Sequence, residues 1–575
     1  MALASASIYG GLMTIQHDVH HSAAAEAGAP EWWRTAVIYQ IYPRSFADSD
    51  GDGTGDLPGI TNRLGELAEL GVDAVWLSPF MLSPQKDAGY DVTDYCSVDP
   101  LFGTLEDFDH LLAAAHSRGI RVIVDLVPNH SSDQHRWFQQ ALRAAPGSKE
   151  RGRYIFRDGQ GTEGQLPPNN WNSIFGGPAW TRVTEPNGTA GQWYLHLFDS
   201  SQPDFDWSND EVKEEFRQIL RFWLDRGVDG FRVDVAHGLV KDQNFPDYTP
   251  DPNAASMGGE EAPAPYFEQH GVHDIYRDWR QVLEEYDGDR ALCGEAWVSS
   301  VEKMALWVRH DEMHQTFNFE YLMAPWDPSV LKSTIDRSLN AFGEVGAPAT
   351  WVLSNHDVVR HATRLSLTGE NPQGTGIGPE FPGIPNYQHG LQRARAATAL
   401  MLALPGSSYL YQGEELGLDE VHDLPGKARQ DPTWFRTNGE RYGRDGCRVP
   451  IPWERDAPAM GFSPSGESWL PQPSRWQSLA RDVQREDSES TLNSYRALLR
   501  LRKEHRLGSG ELHWLSGYPD DVLALRNRDV VVIANLGAEA VETEALEEPL
   551  VASWPLDAGR IPPDTTAWFL NSSSV

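Results

Sequence analysis

Three short apolar segments, GFRVDVAHG (230–238), ALCGEAW (291–297) and WVLSNHD (351–357), each close on one acid and deliver Asp234, Glu295 and Asp357. Two carboxyl groups held a few ångströms apart can divide the labour of a substitution reaction, one ionised as nucleophile and the other protonated as general acid. Arg232 lies two residues before Asp234, on the same side of an extended segment, where a guanidinium favours the ionised carboxylate. Asp234 is therefore the candidate nucleophile and Glu295 the candidate acid and base. A fourth segment, IRVIVDLVPNH (120–130), has the same build and brings Asp125, Asn129 and His130 to its end. Asp125 sits deeper in that segment and is expected to order Arg232 or a neighbouring turn.

An apolar stretch that ends on a carboxylate reads as a buried parallel strand with its chemistry at the C-terminal tip. Such strands alternate with amphipathic helical segments along the chain. VIYQIYP, DAVWLSP, IRVIVDLVP, VDGFRVDV, RALCGEAW, QTFNFEYL, PATWVLSN and SSYLYQ supply eight strands, and Thr104 with Asp107 makes a capping-box pattern before the second helix. The expected fold class is α/β, a (β/α)8 TIM barrel with a subdomain inserted after strand three and a C-terminal antiparallel β domain. Residues 1–30 form an N-terminal extension, 31–128 and 207–508 the two parts of the barrel, 129–206 the insertion, and 509–575 a C-terminal β-sandwich. The insertion is rich in Gly, Pro, Asn and Trp, and an excursion of that length is usually functional. Further excursions at 236–270, 358–388 and 418–490 leave the same strand ends and can wall a pocket over the barrel mouth.

The chain has 83 acidic and 48 basic residues, a formal charge of −35, which opposes binding to nucleic acid or anionic membranes and leaves neutral ligands unaffected. Its 21 Trp and 18 Tyr favour a sugar ligand weakly, because flat aromatic faces pack on sugar rings. Cys96, Cys293 and Cys447 fit neither a zinc site nor a disulfide framework. With no signal-peptide pattern and no long apolar run, the expected location is cytoplasmic. A monomer or weak homo-oligomer is expected. Met13 is an alternative start.

DSDGDGTGD (48–56) places Asp48, Asp50, Asp52 and Asp56 at alternate positions in a glycine-rich loop. Oxygen-only ligands suit Ca²⁺ or Mg²⁺. An EF-hand would need glutamate at the twelfth position from Asp48, where Gly59 stands, and a preceding helix where a strand is expected. A solvated acidic turn without metal is the alternative. No organic cofactor is expected.

DLVPNH, GFRVDVAH, GEAW and SNHD resemble, in order, the four signature regions of the α-amylase superfamily of retaining glycoside hydrolases (family 13). QPDFDW (202–207) is similar to the segment that marks its α-glucosidase and oligo-1,6-glucosidase branch, and the resemblance covers roughly residues 32–575. Retaining hydrolysis needs carboxyls about 5 Å apart, matching the nucleophile and acid roles above. The resemblance further implies that Asp357 binds sugar hydroxyls and stabilises the oxocarbenium-like transition state, with His130 and His356 completing that ring. It implies that Asp87 and Tyr90, in QKDAGYDVTDY, grip and stack on a terminal glucose, with Arg448 of GRDGCRVPIPW as the partner of Asp87. Phe175 and Phe198 match aromatic walls of the insertion, although ordinary core packing is an alternative. The resemblance places a structural ion in the 48–56 loop with the Thr54 carbonyl as a further ligand. His237 and Cys293 are read as packing.

The implied activity is exo-acting release of glucose from short α-linked oligosaccharides through a covalent glucosyl-enzyme, with transglucosylation expected alongside. The same intermediate can serve a transferase or isomerase, and motifs do not separate these. A non-catalytic relative would show lost carboxylates and a membrane anchor, and neither is seen. In relatives, valine after the nucleophile goes with α-1,6 activity, and Val235 stands there. DVAHG departs from the oligo-1,6-glucosidase pattern and CRVPIPW from the usual RTPMQW around the pocket arginine, so maltose and short maltooligosaccharides are the expected substrates, with an α-1,6-specific oligo-1,6-glucosidase as the alternative.

Overall fold

The computed structural model describes residues 31–249, 263–369, 374–382, 386–542 and 548–571; the N-terminal extension and Met13 lie outside them, as do parts of the excursions at 236–270 and 358–388. Eight parallel strands build the central sheet: β1 Val37–Ile41, β2 Ala74–Leu77, β3 Arg121–Leu126, β4 Gly230–Val233, β5 Ala291–Gly294, β6 Gln315–Thr316, β7 Thr350–Val352 and β8 Ser407–Tyr411. Their order, β6-β5-β4-β3-β2-β1-β8-β7, is that of a (β/α)8 barrel. The Asn318 N–H donates to the Thr350 carbonyl at 3.0 Å and joins the β6 end of the sheet to β7. Almost every strand residue is buried, and each fully buried Leu, Ile or Val contributes about 1.5–3 kcal/mol.

Helix boundaries follow local chemistry. Asp56 caps Leu57–Leu70 by accepting from the Gly59 N–H at 2.6 Å, and Gly71 ends that helix at φ 96°. Thr104 and Asp107 form the expected capping box on Leu105–His116. Strand six is shorter than its pattern. QTFNFEYL alternates apolar residues, yet Asn318 accepts from the Tyr321 N–H and starts a helix over Phe319–Met323, so the strand ends at Thr316. A capping side chain here overrides a period-two pattern.

The insertion carries a helix, Arg136–Arg143, and a small antiparallel sheet of Phe156–Arg157, Ala190–Leu195 and Trp180–Thr184. The buried ammonium of Lys241, in the loop after β4, ties it to the barrel through Asp204 at 2.8 Å and Asn129 at 2.6 Å.

The C-terminal segment differs from the expected sandwich. Its described residues form one antiparallel sheet, β9 Leu512–Trp514, β10 Val522–Asn527, β11 Val530–Asn535, β12 Val551–Ala552 and β13 Thr565–Leu570, in the order β9-β10-β11-β13-β12. One face rests on the helix Tyr387–Leu402, with Trp568 and Thr566 bonded to the carbonyls of Ala399 and Ala396. Loop residues Leu515, Tyr518, Val541 and Leu556 cover the other. Both apolar faces are buried, and the described residues add no second sheet. Among the described residues no helix is long and apolar enough to cross a membrane.

Candidate active site

Strand register assembles the centre. Asp125 on β3 and Cys293 on β5 stand opposite Arg232 on β4, and the next residues past the tips of β4 and β5 are Asp234 and Glu295. Arg232 Nη1 donates to Asp234 Oδ1 at 2.7 Å and to Asp125 Oδ1 at 3.0 Å, while Nη2 donates to Glu295 Oε2 at 2.6 Å. Asp125 thus orders Arg232, as expected, and it also accepts from the Trp76 indole and the Tyr90 hydroxyl, both at 3.1 Å. Gly294 precedes Glu295 because a Cβ there would meet the Met313 sulfur at 2.4 Å.

Val235 occupies the left-handed region at φ 43° and ψ 45°, a costly conformation for a β-branched residue. That backbone turns its N–H to Glu295 Oε2 at 3.2 Å, while Trp297 donates to Oε1 at 3.2 Å. Both Glu295 oxygens are therefore engaged. Asp234 Oδ2 carries no hydrogen bond among the described residues.

Arg232 alone cannot neutralise three buried acids. Burial pushes the Asp234 carboxyl well above the usual range; Arg232 pulls it down, as the sequence suggested, but burial and the neighbouring Glu295 and Asp125 outweigh it. Burial likewise pushes Asp125 up to about 6. Burial and mutual repulsion thus favour the protonated forms of Asp234 and Asp125 more than in isolated carboxyls.

Asp357 and His356 lie beyond the β7 tip. Burial acts to raise Asp357, but His356, Arg444 and Arg448 prevail and hold the carboxyl well below the usual range. His356 Nε2 meets the Tyr90 hydroxyl at 2.6 Å, its Nδ1 meets Gln40 at 2.7 Å, and its ring stacks on Tyr90 at 5.2 Å. Burial lowers His130 to about 4, leaving it neutral at physiological pH with Nε2 3.0 Å from the Tyr90 carbonyl.

The partner of Asp87 is Arg444, and this corrects the sequence expectation of Arg448. Arg444 Nη2 lies 2.8 Å from Asp87 Oδ1, Nη1 3.1 Å from Asp357 Oδ1 and Nε 2.6 Å from Asp431 Oδ2. Arg448 stands behind Asp357, donating to Oδ1 at 2.8 Å and to the His356 carbonyl at 2.9 Å. Both arginines belong to one loop, and a short 3-10 turn at Asp445–Cys447 directs the first to the floor. Gln202 of QPDFDW was also missed; its amide donates to Asp87 Oδ2 at 3.0 Å and lies 3.2 Å from His130 Nε2.

These groups surround a cavity at the C-terminal ends of the strands. Asp87, Tyr90, His130, Asp234, Val235, Glu295, His356 and Asp357 line it, as do Phe175, Phe198 and Arg444, whereas Arg232 and Arg448 support it from behind. Phe175 and Phe198 meet edge to face at 5.5 Å and also belong to the insertion's own core, so wall and packing readings hold together. A pocket with paired carboxyls, a floor closed by the Asp87–Arg444 ion pair and aromatic walls suits the end of a polyhydroxylated ring.

In the 48–56 loop, Asp48, Asp50 and Asp56 offer carboxylate oxygens within 4.8 Å of one another. Asp52 is outside that group and accepts from the Thr54 N–H at 2.7 Å. Asp48 and Asp56 are each 5% exposed, and none of the three forms an ion pair among the described residues. Burial raises the Asp56 carboxyl and Asp50 adds to the rise. Three close, unneutralised oxygens fit a hard divalent cation.

Residues 40–510 match the family model described as alpha amylase, catalytic domain. A protein of Rhizobium meliloti (strain 1021) named "Probable alpha-glucosidase" is 39% identical over 536 residues, covering 89% of this chain and 91% of its own length. An oligo-1,6-glucosidase of Heyndrickxia coagulans is 35% identical over 512 residues, covering 83% and 86%. The crystal structure of the alpha-glucosyl transfer enzyme XgtA superposes with a TM-score of 0.80 at 36% identity, covering 94% of this chain and 100% of that one.

Proposed function

The chain belongs to the α-amylase family and is a glycoside hydrolase, and from that premise we propose an exo-acting retaining α-glucosidase that releases terminal glucose from maltose and short oligosaccharides. The observation that carries this reading is the pairing of Arg444 with Asp87 at the floor of a cavity whose reactive carboxyls, Asp234 and Glu295, share one guanidinium. A floor closed by an ion pair accepts a chain end and stops a chain from threading through.

In this reading Glu295 enters the reaction as the general acid. Asp234 Oδ2, which accepts no hydrogen bond among the described residues, attacks the anomeric carbon while Glu295 protonates the departing oxygen, giving a glucosyl ester on Asp234. Glu295 then takes a proton from water, which cleaves the ester and restores both carboxyls. Asp357, held ionised, with His130, His356 and Tyr90, binds the ring hydroxyls as charge develops. Arg232 and Arg448 position these acids, and Phe175 and Phe198 shield the ring from water.

Transfer to an acceptor sugar or alcohol is the second reading, favoured by the likeness to an alpha-glucosyl transfer enzyme. Asp48, Asp50 and Asp56, with Asp52 and the Thr54 carbonyl completing the loop, would hold a structural Ca²⁺ or Mg²⁺ far in role from the reacting atoms. A cytoplasmic location accords with three free cysteines. The deciding experiment measures kcat/KM for maltose, isomaltose, sucrose and trehalose, with and without an acceptor. Maltose should lead. An isomaltose value about tenfold above maltose, roughly 1.4 kcal/mol of transition-state preference, would show that Val235 sets α-1,6 preference.

A further inference from the structure

Of the two arginines that line the cavity, Arg444 is paired with acids and Arg441, among the described residues, is not. Behind the lining, Arg232 serves Asp125, Asp234 and Glu295 and Arg448 serves Asp357, while Arg444 serves Asp87, Asp357 and Asp431. Arg441 lines the same cavity, and among the described residues it makes no ion pair. Its side chain makes one long hydrogen bond, from Nη1 to the Ile174 carbonyl at 3.4 Å. Its Nε is buried without a partner. The acid that acts on it electrostatically, Asp431, is already committed to Arg444 and to the Thr433 N–H.

Position gives this unpaired fork its meaning. Asp87 and Arg444 close the inner end, so a glucose seated there directs its leaving group outward from Asp234 and Glu295. Arg441, against Ile174 on the insertion side, is less deeply buried than Arg444. Its place on the wall is therefore towards the mouth, where the leaving group must lie. Burial lowers the pKa of its guanidinium and Asp431 offsets only part of this, as for a cation partly stripped of water. A planar guanidinium with free donors matches a carboxylate or phosphate two-pronged, and leaving a buried donor unmade is costly.

We propose that Arg441 recognises an anionic group, a carboxylate or a phosphate, on the leaving-group side of the substrate. The inference rests on the glucosidase reading and deepens it: the preferred substrate is an α-glucoside of an acidic sugar or sugar phosphate.

The test compares kcat/KM for maltobionate, whose leaving group is gluconate, with that for maltitol, whose leaving group is its neutral open-chain counterpart. A second arm compares maltose phosphorylated at O6 of the reducing glucose with maltose itself. The wild-type protein should favour at least one charged substrate by about tenfold, roughly 1.4 kcal/mol, and the arm with the larger preference identifies the anion. R441Q should bring the pair to within about twofold, R441K should retain part of the preference, and added salt should reduce it in the wild type. Should R441Q fail to fold, R441K and the salt dependence carry the test. Turnover of maltose and maltitol with no preference for either charged substrate overturns this inference and leaves the glucosidase reading standing. Failure to cleave any of the four substrates overturns both.

Discussion

Arg232 reaches Asp234 through Nη1 at 2.7 Å and Glu295 through Nη2 at 2.6 Å, so one planar group fixes the relative placement of the two carboxyls. A lysine offers a point charge without that fork. Asp234→Asn and Glu295→Gln should each lower kcat on maltose by several orders of magnitude while folding is kept, because each removes an electronic role at nearly constant volume. An activated substrate separates them. α-Glucosyl fluoride needs little protonation of its leaving group, so Glu295→Gln should form the glucosyl-enzyme readily from it and Asp234→Asn should not. Equal loss in both variants would remove the assigned division of labour.

Asp87→Ala and Arg444→Ala should cripple turnover of disaccharides, chiefly in kcat/KM, by about 10²-fold or more, since each strands a buried partner charge. Starch should be a poor substrate of the wild type throughout. Rapid loss of iodine staining from soluble starch, as interior cleavage produces, would refute the closed floor.

Much of this arrangement is legible in the chain. The acids at the tips of β4 and β5 follow apolar runs, and register in a parallel sheet then brings Asp125, Arg232 and Glu295 together without further information. Arg444 was not legible, because GRDGCR holds two arginines four residues apart and only the 3-10 turn between them decides which reaches Asp87. Gln202 and Lys241 escaped for a related reason: each acts across the junction of barrel and insertion, a contact that no local pattern encodes. Strand six misled because Phe317, Phe319 and Tyr321 alternate like a strand, while the Asn318 side chain selects a helix.

Chelation should lower the melting temperature and leave the catalytic carboxyls untouched, since an ion bound only by the native state stabilises it by mass action. Re-addition of Ca²⁺ or Mg²⁺ should restore it. An unchanged melting temperature, with no divalent ion found by elemental analysis of purified protein, would make the 48–56 loop a bare acidic turn.

Stability should peak near pH 6.5 and fall on both sides. Burial pushes Glu414 up to about 8 and Glu420 up to about 7. The folded pKa values exceed the unfolded ones, so this contribution is complete below about pH 4.5 and is lost as pH rises to 8. Burial lowers His130 and His135 to about 4 and His361 to about 3. Their contribution is present above about pH 6.5 and is lost as pH falls towards 3. Glu414→Gln should remove part of the decline in melting temperature between about pH 6.5 and 8.5. A wild-type melting temperature that rises across that interval would contradict the assignment.

The account stands on a covalent glucosyl ester at Asp234. Brief reaction with 5-fluoro-α-glucosyl fluoride, in which the fluorine slows hydrolysis of the ester, followed by proteolysis and mass spectrometry, reads the labelled residue directly. The label is expected on the peptide bearing Asp234, absent from Asp234→Asn and displaced by an acceptor sugar. A label on Glu295, or steady turnover of maltose with no covalent species under any quench, would contradict it.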